Sequence, residues 1–332
     1  MTGKHTIIVQ AKRVKFELTV ERNITIIKGD SATGKTTLVG MIKDFNIWGT
    51  SFGVNVICDK KCKVIEGTEW KKALSEVKDS IVFIDEGNDF IATKEFANII
   101  QKTDNYYVII SRVVLPMLPY SVNSVLELKV SNKFFNVKQV YNVATNLYIG
   151  AATERDVTPS LIITEDSKAG GQFFSNLGVK CIHAGGKSKI FGLIQELSTY
   201  TDGEVLIVAD GAAFGPEIDD IIEELKVHKK FSLYTPESFE WLLLKADLFE
   251  NGNKIKEVLS KPYNYIESSQ FFSWERFFTS FLVRLTDQLD RNNTMVGYKY
   301  PSNKAKLPAV YLSDRIKNKV LAVLPGNIKI KH

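Results

Sequence analysis

The run Gly29-Asp-Ser-Ala-Thr-Gly34-Lys35-Thr36 lies between an apolar stretch, Asn23 to Ile27, and a segment in which Leu38, Met41, Ile42 and Phe45 recur at helical spacing. Strand, glycine-bounded turn and amphipathic helix together form a narrow prescription. Glycine at each end lets the backbone curl until successive N–H groups converge on one point, and the following helix, Lys35 to about Phe45, adds its positive end there. The turn is built to hold phosphate. Gly29, Asp30, Ser31, Ala32, Thr33, Gly34, Lys35, Thr36 and Thr37 are therefore expected to bind a nucleoside triphosphate, with Lys35 reaching the outer phosphates and Thr36 holding Mg²⁺ through its hydroxyl.

A second segment fits the same chemistry. Ser80-Ile-Val-Phe-Ile-Asp85-Glu86 is an apolar run ending in two carboxylates, as expected of a buried parallel strand whose carboxyl end opens onto the functional edge of its sheet. Asp85 is expected to serve Mg²⁺ and Glu86 to orient or deprotonate an attacking water, so the nucleotide, taken as ATP, is hydrolysed rather than merely held. A third strand, Tyr106 to Ile110, ends in Ser111 and Arg112, positions suited to sensing the γ-phosphate and stabilising transition-state charge; a plain surface arginine is the alternative. No base-specifying motif separates ATP from GTP.

At 332 residues the chain is long enough for two domains, and 44% hydrophobic residues suffices for substantial cores. No apolar stretch approaches a membrane span and Met1-Thr-Gly-Lys-His lacks a signal-peptide core, so no membrane partner and a cytoplasmic location are expected. Cys58, Cys62 and Cys181 are too few for a disulfide framework, and His5, His183, His228 and His332 provide no zinc-ligand spacing. The charge is uneven. Residues 291 to 332 carry nine Lys or Arg against one acid, Asp314, a net +8 within a chain of +5, which leaves −3 for residues 1 to 290. Tyr298, Tyr300 and Tyr311 lie among these charges, a mixture that suits nucleic-acid phosphates and stacked bases or, alternatively, a solvated basic surface.

The expected fold is α/β, a P-loop NTPase sheet domain followed by a second α/β domain and a mostly helical, basic C-terminal region. Strands Thr6 to Gln10 and Val14 to Val20 precede the loop strand. A strand near Val54 to Cys58, helices Trp70 to Val77 and Lys94 to Gln101, and a hairpin of Val125 to Val130 with Phe134 to Tyr141, closing the sheet edge, complete residues 1–145. Residues 146–158 read as a linker. Residues 159–247 restart the alternation: Leu161 to Thr164 before Glu165-Asp166, helix Lys168 to Leu177, strand Val179 to His183 before Gly185-Gly186-Lys187-Ser188, helix Ile190 to Leu197, strand Val205 to Ala209 before Asp210, helix Ile218 to Leu225 and strand Phe231 to Tyr234. Thr235-Pro236-Glu237 reads as an N-cap, N1 proline and early acid opening a helix through Ala246. In residues 248–332, Phe271 to Leu289 present a broad apolar face for core packing or a protein partner, and Leu312 to Val323 a final helix.

The order strand–Glu165, helix, strand–Gly-Gly-Lys-Ser, helix, strand–Asp210 resembles the Toprim domain of topoisomerases, primases and the overcoming-lysogenization-defect (OLD) nucleases, and with the P-loop the chain resembles a shortened OLD-type protein. The resemblance implies that Glu165 acts as general acid or base, that Glu165 and Asp210 bind Mg²⁺ against a phosphodiester, and that the setting is a phage, a mobile element or defence against them. The family's second aspartate falls on Ala212, with Asp166, Glu217, Asp219 and Asp220 as nearby carboxylates. ABC-type ATPases place a helical subdomain and a Ser-Gly-Gly signature between the loop and the acidic strand, and the 50 positions from Lys35 to Asp85 contain neither. Three functions stay open: an ATPase controlling a nucleic-acid-processing domain, with catalytic Lys35, Glu86, Glu165 and Asp210; a nuclease-inactive, ATP-switched binding protein, as homo-oligomer or with a protein partner; and a small P-loop phosphotransferase.

Overall fold

A computed structural model describes residues 1–29, 33–131, 140–148, 155–250, 252–288, 299–304 and 306–330. These form two compact units. The first comprises Met1–Leu147 and Tyr263–Ser273, the second Tyr148–Pro262 and Trp274–His332. Residues 248–332, read in sequence as one region, therefore divide between both.

In the first unit, alternation of apolar and polar residues produces an antiparallel pair, β1 (His5–Gln10) and β2 (Val14–Val20), in register His5 opposite Val20, with every second side chain buried. Continuous apolar runs instead produce strands buried on both faces, β3 (Ile24–Lys28), β6 (Ser80–Ile84) and β7 (Tyr106–Ile110). Helix α1 (Lys35–Trp48) follows the glycine turn and runs one turn beyond its predicted end, stopping at Gly49, whose φ of 61° breaks the helix. Strands β4 (Asn55–Ile57) and β5 (Lys61–Val64), helix α2 (Trp70–Ser75), and helix α3 (Lys94–Ile100), capped by the Thr93 hydroxyl, occupy the interval before β7. Strands β8 (Val125–Ser131) and β9 (Val140–Asn146) complete the sheet, whose order is β4-β1-β2-β9-β8-β3-β7-β6-β5.

Two expectations are corrected here. The hairpin does not close an edge: β8 pairs in parallel with β3 and β9 in parallel with β2, so the two strands join the antiparallel and parallel halves of the sheet. Its second strand is Val140–Asn146 rather than Phe134 to Tyr141, and it runs into the stretch read as linker; residues 132–139 lie outside the described residues. Strands β4 and β5, adjacent in the chain, stand at opposite ends of the sheet, and α1 packs against both. The nine strands thus curve around α1, whose Leu38, Val39 and Ile42 join Val9, Phe16 and Phe83 in the core.

The second unit is built on a parallel four-stranded sheet, β11-β10-β12-β13, formed by β10 (Leu161–Thr164), β11 (Lys180–His183), β12 (Val205–Val208) and β13 (Phe231–Tyr234). Helices α4 (Ala169–Ser175), α5 (Ile190–Ser198) and α6 (Ile218–Val227) make the crossovers. From β10 the chain moves to one side and from β12 to the other. The carboxyl ends of these neighbours therefore flank a crevice, the usual ligand position in an open α/β sheet. Helices α7 (Phe239–Lys245), α8 (Gly252–Ser260), α9 (Trp274–Gln288) and α10 (Asp314–Leu321) follow, with α7 packed on α8 and α9. Helix α7 starts later than the proline signal predicts. The Pro236 and Glu237 carbonyls accept hydrogen bonds from Gly211 and Ala212, which holds residues 235–237 outside the helix and gives the cap to Ser238.

Candidate functional site

The first site is assembled at the carboxyl ends of β3, β6 and β7. Gly29 and Gly34 have φ values of 118° and 88°, a region that side-chain-bearing residues rarely adopt. The Lys35 side chain is buried and spans the turn, its Nζ donating to the Gly29 carbonyl at 2.7 Å and the Thr33 hydroxyl at 3.0 Å. Helix α1 begins with no side-chain cap and no acid in its first turn, so its leading amides and positive end face the loop uncancelled. Thr36 and Thr37 are exposed beside it, while Asp30, Ser31 and Ala32 lie outside the described residues. Phe16 underlies the turn, and a Cβ on Gly34 would meet its ring at 3.1 Å.

Asp85 follows β6. Burial raises its pKa, opposed by hydrogen bonds from the Glu86 amide and the Thr36 hydroxyl, so the residues expected to share Mg²⁺ do stand together. Strand β7 lies between β3 and β6 and delivers Arg112 to Glu86: Nη2 donates to Oε1 and Nε contacts Oε2, both at 2.9 Å. This two-point ion pair was not legible in sequence, where the residues were given separate tasks. The Ser111 hydroxyl is buried and donates to the Val113 carbonyl at 2.8 Å.

The second site is a cavity of about 220 Å³ at the crevice between β10 and β12. Glu165 and Asp210 line it, as the strand-end pattern predicts, together with Glu240 of α7, Glu275 of α9, and Lys304. Burial chiefly, helped by the nearby Glu275 charge, pushes Glu165 up to about 7 and Asp210 well above the usual carboxylate range. Lys304 Nζ contacts Glu275 Oε1 at 2.9 Å and Glu240 Oε1 at 3.2 Å, and the Tyr300 hydroxyl donates to Glu240 Oε1 at 2.7 Å. Glu240 is fully buried, and its Oε2 has no hydrogen-bond partner among the described residues.

The other proposed carboxylates behave differently. Glu217 pairs with Lys187 of the Gly-Gly-Lys-Ser turn at 3.2 Å, and neither it nor Asp219 and Asp220 lines the cavity, while Asp166 sits on its wall. Ala212 is buried and also absent from the lining, so an acid there would face packed atoms. Among the described residues no three His, Cys, Asp or Glu are arranged as ligands of one metal ion.

In the basic region the expectation for the tyrosines is corrected. Tyr300 and Tyr311 are fully buried and stack edge to face, so neither is available to a base; Tyr298 lies outside the described residues. Lys304 points inward, and Lys299, Lys317 and Lys329 pair with Asp287, Asp314 and Asp156. No described helix is long and apolar enough to cross a membrane. Sequence reasoning missed Glu240, Glu275 and Lys304; the one local hint was Ser238, an N-cap that sets Glu240 in the first turn of α7. Compared with protein-family models, curated proteins and solved structures, the chain matches none of them.

Proposed function

We propose that the chain is a P-loop ATPase whose nucleotide state controls a Toprim-like second unit that binds or processes nucleic acid. The observation that carries the reading is the strand–turn–helix at residues 24–48, with Lys35 drawn across the turn and Thr36 beside Asp85. In this reading the loop amides and Lys35 grip the triphosphate, Thr36 and Asp85 hold Mg²⁺, and Glu86, released from Arg112, orients water. The bound metal would neutralise phosphate charge; everything else is positioning by the chain. Isothermal titration with Mg²⁺–ATP and Mg²⁺–GTP tests it. Saturable binding to the wild type, lost in Lys35→Ala with the fold intact by circular dichroism, is expected; no heat from well-folded wild type rejects the reading. Phosphate transferred to a small acceptor rather than released would favour a phosphotransferase.

For the second unit, Ala212 and the inward Lys304 favour a nuclease-inactive binding domain over a cleaving one. Incubation with plasmid, single-stranded DNA and RNA in Mg²⁺ and Mn²⁺ separates the two. Cleavage above the level of Asp210→Ala would establish a nuclease.

A further inference from the structure

We infer that Lys304 is the built-in cation of the second unit's acidic cavity, occupying the place a divalent metal would need, so that the nucleotide-free protein takes up no Mg²⁺ or Mn²⁺ there. The inference stands on the second unit alone and does not depend on the nucleotide reading.

Carboxylates from two helices meet at its ammonium, Glu240 at 3.2 Å and Glu275 at 2.9 Å, and Asp210 on the same cavity feels its charge through space. Glu240 is fully buried and keeps one oxygen without a hydrogen-bond partner among the described residues, so the positive charge that balances it comes from within the fold. The backbone is committed to this placement. Lys304 holds φ at 56°, a left-handed conformation unfavourable to a residue with a Cβ and kept only where the surroundings enforce it.

An ammonium and a divalent ion are not interchangeable here. The ammonium needs only acceptors around a point charge, whereas Mg²⁺ demands near-octahedral oxygens at about 2.0–2.1 Å. With the ammonium in place, the carboxylates of the described residues are not arranged as such a group. Two cations in one small cavity also repel, so metal entry requires Lys304 to leave. Room to leave exists: Glu275 and Lys304 also line a second cavity of about 360 Å³.

Mn²⁺ titration of the nucleotide-free full chain, read by electron paramagnetic resonance and by thermal melting, tests the assignment. The wild type and Lys304→Arg should bind no stoichiometric Mn²⁺ and melt at the same temperature with and without it. Lys304→Gln, which leaves the carboxylates uncompensated, should melt lower in metal-free buffer, bind Mn²⁺ about tenfold or more tightly than the wild type, and regain stability with it. Adding Asp210→Asn to Lys304→Gln should abolish that gain. If Lys304→Gln folds only with Mn²⁺ present, the assignment holds. It is overturned by stoichiometric Mn²⁺ on the wild type that Asp210→Asn removes, or by a Lys304→Gln protein, folded or not, that Mn²⁺ neither binds nor rescues.

Discussion

Two pressures act on Glu165, the sheet that buries it and the carboxylates that share its cavity, and both favour its protonated form. Its folded pKa of about 7 lies above the ordinary value of 4.5, so the stability this implies is complete below the lower value and is lost as pH climbs through the higher one. Glu165→Gln, which imitates the protonated acid, should therefore flatten the decline in stability between mildly acidic and neutral pH and exceed the wild type at pH 8 by up to roughly 3 kcal/mol. Denaturant melts of both proteins across that range check it, and parallel curves would disprove it. Glu165 and Asp210 were readable in sequence because each caps an apolar strand. Glu240, Glu275 and Lys304 were not, because a first helical turn, another helix and a left-handed turn bring them together with no shared spacing. Arg112 was visible as a residue, but its bond to Glu86 depends on the register of β6 beside β7.

At the scale of elements, continuous burial made β3, β6 and β7 predictable to within a residue, since only a parallel interior strand needs apolar side chains on both faces. Strand β5 escaped notice: Lys61-Cys62-Lys63-Val64 is short and charged, and it exists because β6 offers it a partner. The start of α7 was misplaced because Thr235-Pro236-Glu237 carries a helix-opening pattern that hydrogen bonds from Gly211 and Ala212 override. The cap that does operate is the fully buried Ser238, which accepts the Trp241 amide at 3.2 Å. Ser238→Ala should lower stability by about 1 kcal/mol, and more if the buried amide finds no other acceptor. Chemical denaturation measures this, and an unchanged midpoint would assign the start of α7 to packing alone.

For the whole molecule, the sequence placed the end of the first α/β segment at 145, close to Leu147, yet gave no sign that the chain returns. Phe271 and Phe272 read as part of the apolar face that continues to Leu289, but they belong with residues 263–273, which complete the first unit. Asn23 donates to the Ser268 and Phe271 carbonyls at 3.1 and 3.0 Å, and the terminal amine of Met1 is met by Glu267 and Ser268. A fragment of residues 1–147 loses these partners and should melt lower, or aggregate, compared with the same fragment joined to residues 263–273 by a flexible linker. Equal melting of the two would show the returning segment to be dispensable. During synthesis the interruption sets an order of events. The ribosome delivers the closing 11 residues of the first unit only after 115 residues of its companion have emerged, all four parallel strands among them. The first unit therefore waits, unfinished, while the second is already in a position to fold.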